Sequence, residues 1–383
     1  MRGALEAGRG GAAERLGALI RAEYGADRVV LTDSGTAALT IALQSLGPTP
    51  VVALPAYGCF DLATAAIGAG ARVRLYDLDP DTLGPSDQSL TGAMDAGIDG
   101  LVLAHLYGIP AQSAGWRQRA RERGIVVIDD AAQASGATLG GRPVGSLGDL
   151  GVLSFGRGKG RTGGGGGALL SLTPAGTRLL EAGAEPALPG ASVGAQLTAT
   201  AKLVVQWLLG RPGLYGLPAS IPGLGLGQTH FKPPKPATSI GGLAAGVLLA
   251  AWEASAAEVV ARRSSAAKWM NAVMAPGFRR ATIAGTAEPG WLRFPIVVPP
   301  ERRSDFETGS ARRLGIASGY PTTLAQLVGF GDYLLPGGDE SGAATLARTL
   351  VTLPTHSLLS DADRQAVARL LGSASVGGAG IVG

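Results

Sequence analysis

Cysteine is nearly missing from this chain: its 383 residues hold one, Cys59. A single thiol excludes an intrachain disulfide and a cysteine-based zinc cluster, and a reducing, cytoplasmic compartment is the natural expectation. Charge is also scarce, at 16% against 46% hydrophobic residues, which excludes a disordered chain and requires an extensive core. The net charge is only +4, and no Lys/Arg cluster is interleaved with aromatics, so no nucleic-acid partner is expected. The slight basic excess suits anionic ligands, phosphorylated substrates among them. Only three histidines occur, His105, His230 and His356, and none has metal-ligand spacing with another, so no metal is expected. Met1–Glu14 lacks the apolar segment of a secretory signal. Pro236–Trp252 is uncharged but holds Gly241, Gly242 and Gly246, and it reads as a buried helix rather than a span.

What is present is an alternation. Apolar runs at Val29–Thr32, Val51–Leu54, Val73–Tyr76, Leu101–His105, Ile125–Asp129, Gly151–Phe155 and Ala168–Leu172 read as strands. Helical stretches Gly35–Leu46, Leu62–Ala69 and Ser113–Arg123 fall between them. Continuous apolar strands alternating with helices predict an α/β fold with a mostly parallel sheet covered on both faces. Residues 186–236 break the pattern with Pro, Gly and Leu, leaving one amphipathic helix over Ala199–Leu209. A single long helix is expected over Ile240–Arg263, then strands at Trp291–Val298 and Thr349–Leu353 and a last helix at Asp361–Leu371. A chain of this length exceeds one ordinary core. It divides into a large domain over 1–263, which includes the irregular 186–236 segment, and a smaller α/β domain over 264–383.

Three segments carry chemistry. In Ser154-Phe155-Gly156-Arg157-Gly158-Lys159, one of only five lysines follows a buried strand between glycines. A lysine taken out of water there is favoured in its neutral, nucleophilic form and can make a Schiff base; the alternative is a lysine in a surface loop. In Val126-Val127-Ile128-Asp129-Asp130-Ala131-Ala132-Gln133, two carboxylates end a strand at the sheet edge where α/β proteins bind ligands. A buried Asp there needs a cationic partner such as a protonated pyridine nitrogen, or else it caps the next helix. The reading takes Asp129 as structural and Asp130 as the partner, a choice that spacing alone does not make. In Thr32-Asp33-Ser34-Gly35-Thr36-Ala37-Ala38, a helix opens after a strand and offers free N–H groups to an anion, or carries an ordinary N-cap.

Taken in order, these segments resemble the DegT/DnrJ/StrS family of pyridoxal-phosphate sugar aminotransferases. The resemblance runs from Val29 to about Leu371 and includes Pro55-Ala56-Tyr57, Ala69-Gly70-Ala71 and Asp77-Leu78-Asp79. It continues through His105-Leu106-Tyr107-Gly108, Gly136, Gly145-Ser146, Gly319-Tyr320-Pro321 and Leu353-Pro354-Thr355-His356. It implies a fold-type-I transferase, usually a homodimer with active sites at the subunit interface. Lys159 would then hold pyridoxal 5'-phosphate covalently, and its freed amine would shuttle the proton. Asp130 would pair with the pyridine nitrogen. Gln133 would lie near the ring or its phenolic oxygen. Ser154 and the backbone at Gly35, Thr36 and Ala37 would hold the phosphate. The family also looks to contain dehydrases with histidine at the lysine position, so Lys159 favours amino transfer.

The chain departs from the family pattern at several points. Cys59 stands where the family stacks an aromatic residue on the ring, so Cys59, Phe60 or Tyr57 covers it. Gly165 replaces an acid in the glycine-rich run after the lysine. Gln228-Thr229-His230-Phe231-Lys232 replaces the Asn/Arg-bearing segment that reaches the partner subunit. The segment before the first strand is short. His105 reads equally as structural or as adjacent to the site, and His356 as structural in a turn. The implied reaction moves an amino group from an amino acid, glutamate first, to a keto-sugar, most plausibly nucleotide-linked. That would serve surface-polysaccharide or secondary-metabolite biosynthesis. The alternatives are a cyclitol or aminodehydration substrate and a degenerate sugar-nucleotide binder or regulator. Peripheral membrane contact through residues 199–227 is a further option.

Overall fold

The computed structural model describes residues 11–112, 114–182, 188–190, 231–273 and 276–373. The expected helix over Ala199–Leu209, the 199–227 stretch and Gln228-Thr229-His230 lie outside the described residues.

Helix α1 (Ala12–Tyr24) comes first and was not expected from the sequence. It buries Leu16, Ile20 and Tyr24, whose four-residue spacing forms one apolar stripe. Then follow β1 (Arg28–Thr32), α2 (Gly35–Gln44), β2 (Val51–Pro55), α3 (Asp61–Gly68) and β3 (Arg72–Tyr76). The series continues through α4 (Asp87–Asp95), β4 (Gly100–Ala104), α5 (Ala114–Glu122), β5 (Val126–Asp130), β6 (Leu150–Ser154), β7 (Gly167–Ser171) and α6 (Pro174–Ala182). These strands form a seven-stranded sheet in the order β1-β7-β6-β5-β4-β2-β3. β7 runs antiparallel to both of its neighbours, and the remaining pairs are parallel. The sheet is therefore mostly parallel, as the uninterrupted apolar strands require, and its inner strands are buried apart from half-buried end residues such as Val51, Ala104 and Val126.

After residue 231 the chain forms α7 (Gly242–Trp252) and α8 (Ala254–Ala272), which meet at a bend of 62°. The single helix expected over Ile240–Arg263 is thus two. The Ser255 hydroxyl donates to the Trp252 carbonyl at 2.6 Å and so occupies the helical acceptor at the break. Trp252 is itself anchored to α1 through its indole N–H on Glu23. Among the described residues no single helix is long and apolar enough to cross a membrane, and the buried face of α7 (Ala245, Gly246, Leu248) packs with α1.

A second sheet is antiparallel. It joins β8 (Arg279–Arg280), β9 (Phe294–Val297), β10 (Ala317–Ser318) and β11 (Leu350–Leu353) in the order β8-β9-β11-β10, with α9 (Ser341–Thr349) and α10 (Asp361–Ser373) alongside in sequence. Residue 263, where the sequence places a domain boundary, lies within α8. One buried cluster runs from Leu54 and Val102 to Phe294, Leu346 and Val351, so the two sheets share a core. Asp77, at the end of β3, accepts the N–H groups of Gly342 and Ala343 at the start of α9 and pins the later half to the earlier one.

Candidate active site

Register brings the three sequence segments together. Ala104 pairs with Asp130 and Asp130 with Val152, so His105, Asp130 and Ser154 stand at the carboxyl ends of three adjacent parallel strands. Ser154 pairs with Gly167, and Gly167 with Thr32, which carries the row across to the start of α2. A Cβ on Gly167 would lie 2.4 Å from the Ser34 carbonyl, so only glycine lets the lysine loop return this close to the helix start. Gly35 has the same role on the other side, because a Cβ there would meet Ser154 Cβ at 2.6 Å. The Ser154 side chain therefore stands directly against the first turn of α2.

One cavity at this edge is lined by Gly35, Thr36, Cys59, Asp130, Gln133, Ser154 and Lys159, together with neighbours that include His105 and Asp61. Of the expected site residues only Ala37 is not on its wall. The Ala37 N–H is taken by the Ser34 hydroxyl at 3.1 Å, an N-cap that withdraws it from any ligand. Helix geometry leaves the Gly35 and Thr36 amides without an intrahelical acceptor, so the anion site rests on them and on the Ser154 hydroxyl.

The two aspartates have different environments. Asp129 is fully buried and saturated: its carboxylate accepts Gly145 N–H at 2.6 Å, Leu147 N–H at 2.9 Å and His105 Nε2 at 2.7 Å. Burial alone would raise its pKa, but the interaction with His105 and the Leu147 N–H outweigh burial and hold the carboxyl below the ordinary value. His105 is fixed in turn, because Ala111 N–H donates to its Nδ1 at 2.9 Å and places the ring proton on Nε2. Both ring nitrogens are engaged, which gives His105 a structural role on the cavity wall. Among the described residues the Asp130 carboxylate accepts one hydrogen bond, Ala132 N–H at 2.9 Å. Burial pushes its pKa up against the Ala132 N–H and the nearby Lys159 charge. A carboxylate so placed calls for a further cationic partner in the cavity.

Lys159 is half-buried on the loop between β6 and β7, whose backbone turns on Lys159 N–H to Gly156 C=O at 3.2 Å. Arg262 of α8, buried and beyond the reach of the sequence reading, donates to the Gly160 carbonyl at 3.0 Å and anchors the residue after the lysine. Nothing in the sequence set it apart from Glu258, Arg263 and Lys268 on the same helix. Gln133 accepts Tyr107 N–H at 3.0 Å and donates to the Tyr320 hydroxyl at 2.8 Å. Tyr107 holds its N–H there from a left-handed backbone (φ 57), a conformation that costs about 1–3 kcal/mol in a residue with a side chain. Of the three residues offered as ring cover, Cys59 lines the cavity, with a thiol that burial and Asp61 push up to about 11. Tyr57 and Phe60 are buried behind it against Tyr320. His356 sits in the expected turn, with its pKa lowered by burial and by Arg293.

A lysine amine, a carboxylate with spare acceptor capacity, a helix start with an adjacent hydroxyl and an open wall at Cys59 share one cavity. That donor set fits pyridoxal phosphate: amine for the aldehyde, carboxylate for the ring nitrogen, amides and hydroxyl for the phosphate.

The architecture is that of the fold-type-I transferases. The structure of a DegT DnrJ EryC1 StrS aminotransferase from Brucella abortus superposes with a TM-score of 0.73 over 96% of this chain and 91% of that one, at 19% identity. Residues 5–179 match the model of the DegT/DnrJ/EryC1/StrS aminotransferase family. The chain is 34% identical over 154 residues to the L-glutamine:2-deoxy-scyllo-inosose aminotransferase of Streptomyces kanamyceticus, covering 40% of this chain and 36% of that protein. It is 36% identical over 124 residues to the UDP-N-acetyl-3-dehydro-alpha-D-glucosamine 3-aminotransferase of Acidithiobacillus ferrooxidans, covering 32% and 34%. The match thus spans about a third of each of these relatives.

Proposed function

We propose that this chain is a pyridoxal-phosphate aminotransferase that moves an amino group from an amino acid to the ketone of a sugar, nucleotide-linked in the leading reading. The observation that carries the proposal is the single cavity shared by Lys159 and Asp130. When bound, the cofactor supplies an electron sink for the carbon that loses or gains a proton. Lys159 links it covalently and, once released, moves that proton with its amine. Asp130 keeps the ring nitrogen protonated, and the burial that raises its own pKa is relieved by that cation. Gly35, Thr36 and Ser154 hold the phosphate. Asp129 and His105 set the wall behind them without touching the reaction.

A ketone on a cyclitol is the second reading, favoured by the name of the Streptomyces kanamyceticus relative. The donor is glutamate or glutamine, the latter also from that name. Incubating the cofactor-loaded protein with each donor, and then with a keto-sugar nucleotide or an inosose, tests the proposal by mass spectrometry of the amine product. Amination of neither ketone would move the chain to the degenerate-binder reading. A large and a small domain meeting near residue 263, a homodimer and a cytoplasmic location complete the proposal. Peripheral membrane contact through residues 199–227 is kept as a variant. Sedimentation and liposome partition check the dimer and the membrane contact.

A further inference from the structure

Tyr320 lies outside the residues that match the family model, yet its hydroxyl reaches the cavity wall. Resting on the reading above, we propose that Tyr320 is a positioning residue that locks the Gln133 amide with one N–H left for an anionic oxygen of the bound cofactor. The orientation of Gln133 follows from its partners. Tyr107 N–H can only donate, so the atom facing it at 3.0 Å is Oε1. Nε2 then faces Tyr320 and gives one hydrogen to its hydroxyl at 2.8 Å. An amide nitrogen has two hydrogens, and the second remains for the cavity that Gln133 lines.

Tyr320 is held firmly enough to set this geometry. Its backbone N–H donates to Tyr57 Oη at 2.9 Å, and Tyr57 Oη lies 3.3 Å from Tyr107 Oη. Its ring stacks on Tyr107 with centroids 6.1 Å apart and meets Tyr57 edge-on at 5.6 Å. Gln133, Tyr107, Tyr57 and Tyr320 therefore close a ring of contacts in which each fixes the next. Without the Tyr320 hydroxyl, the Gln133 amide keeps one tether instead of two.

The test uses Tyr320→Phe, Gln133→Ala and the double variant in the full chain, read by absorbance titration with pyridoxal phosphate. Tyr320→Phe keeps the ring packing and Lys159, so the band of the lysine-linked cofactor persists, at a shifted position and with affinity lowered roughly 5- to 10-fold. Gln133→Ala gives a similar loss, and the double variant loses no more than the larger single one. Multiplying losses, or an unchanged Tyr320→Phe, would overturn the proposal. A second readout needs no cofactor. The Gln133 side-chain amide resonance, assigned by its loss in Gln133→Ala, shifts in Tyr320→Phe; if it stays in place, the proposal fails. A wild-type protein that gives no lysine-linked band would instead sink the aminotransferase reading, even where the amide resonance responds as expected.

Discussion

Tyr57 Oη accepts the backbone N–H of Tyr320 at 2.9 Å across 263 residues of chain. The bond joins the end of β2 to a loop of the C-terminal half, and Gly319 leaves the room for it, since a Cβ there would collide with the hydroxyl. Tyr57→Phe removes the acceptor and leaves a half-buried amide unpaired. The expected cost is about 1–3 kcal/mol in urea unfolding, with the slope unchanged. Equal stability would mean that the amide finds another partner.

Asp129 and Asp130 are neighbours in sequence with opposite tasks. Asp129→Ala leaves two buried N–H groups and the His105 ring proton without their acceptor, so it should destabilise the fold by about 3–5 kcal/mol. Asp130→Asn should fold normally, retain the lysine-linked cofactor and fail in the amino-donor half-reaction. Unfolding curves and single-turnover absorbance separate the two, and a swap of these phenotypes would reverse the assignment.

The same pair predicts two pH dependences of opposite sign. The Asp129 carboxyl lies below its ordinary value of 3.8 when folded, so its stabilisation is complete above about that pH and is lost as pH falls through the depressed folded value. The Asp130 carboxyl is raised when folded, so its ionised form opposes folding once pH exceeds 3.8 and the folded value is passed. Cofactor-free Asp130→Asn should therefore be more stable than wild type at pH 7, with the gap closing toward pH 4. A gap constant with pH would remove ionisation as its cause.

Arg262 donates to the carbonyl of the residue after Lys159. Arg262→Met keeps much of the apolar stem and removes the guanidinium, leaving that carbonyl without its charged partner at about 1–3 kcal/mol. Hydrogen exchange should quicken at the amides of Gly158 to Thr162, and cofactor retention should fall. Unaltered exchange there would show that the loop holds its place without α8.

Much of this site was legible in the sequence because strand ends announce themselves. Ser154, Asp130 and His105 each close an apolar run, and a parallel sheet aligns such ends on one edge. Lys159 stood out through the scarcity of lysine and its flanking glycines. What stayed hidden depends on contacts distant in sequence. The division of labour between Asp129 and Asp130 is set by Gly145 and Leu147, and the Gln133 clamp by Tyr320. Helix α1 was missed although Leu16, Ile20 and Tyr24 repeat every fourth residue, because the flanking sequence is rich in Ala, Gly and Arg. The bend at Trp252 was missed because no proline or glycine marks it; a serine hydroxyl and an indole anchor make it. Ala37 was placed on the phosphate because a cap and an anion compete for the same amides, and here Ser34 takes that one.

The central claim is that Lys159 binds pyridoxal phosphate covalently in the cavity it shares with Asp130. The direct measurement is the visible absorbance of the protein with added pyridoxal phosphate, before and after an amino donor, for wild type and Lys159→Ala. The account predicts a visible band in wild type that survives gel filtration and bleaches with glutamate or glutamine, and no such band in Lys159→Ala. A wild-type protein without the band, or a variant that keeps it, would contradict the account.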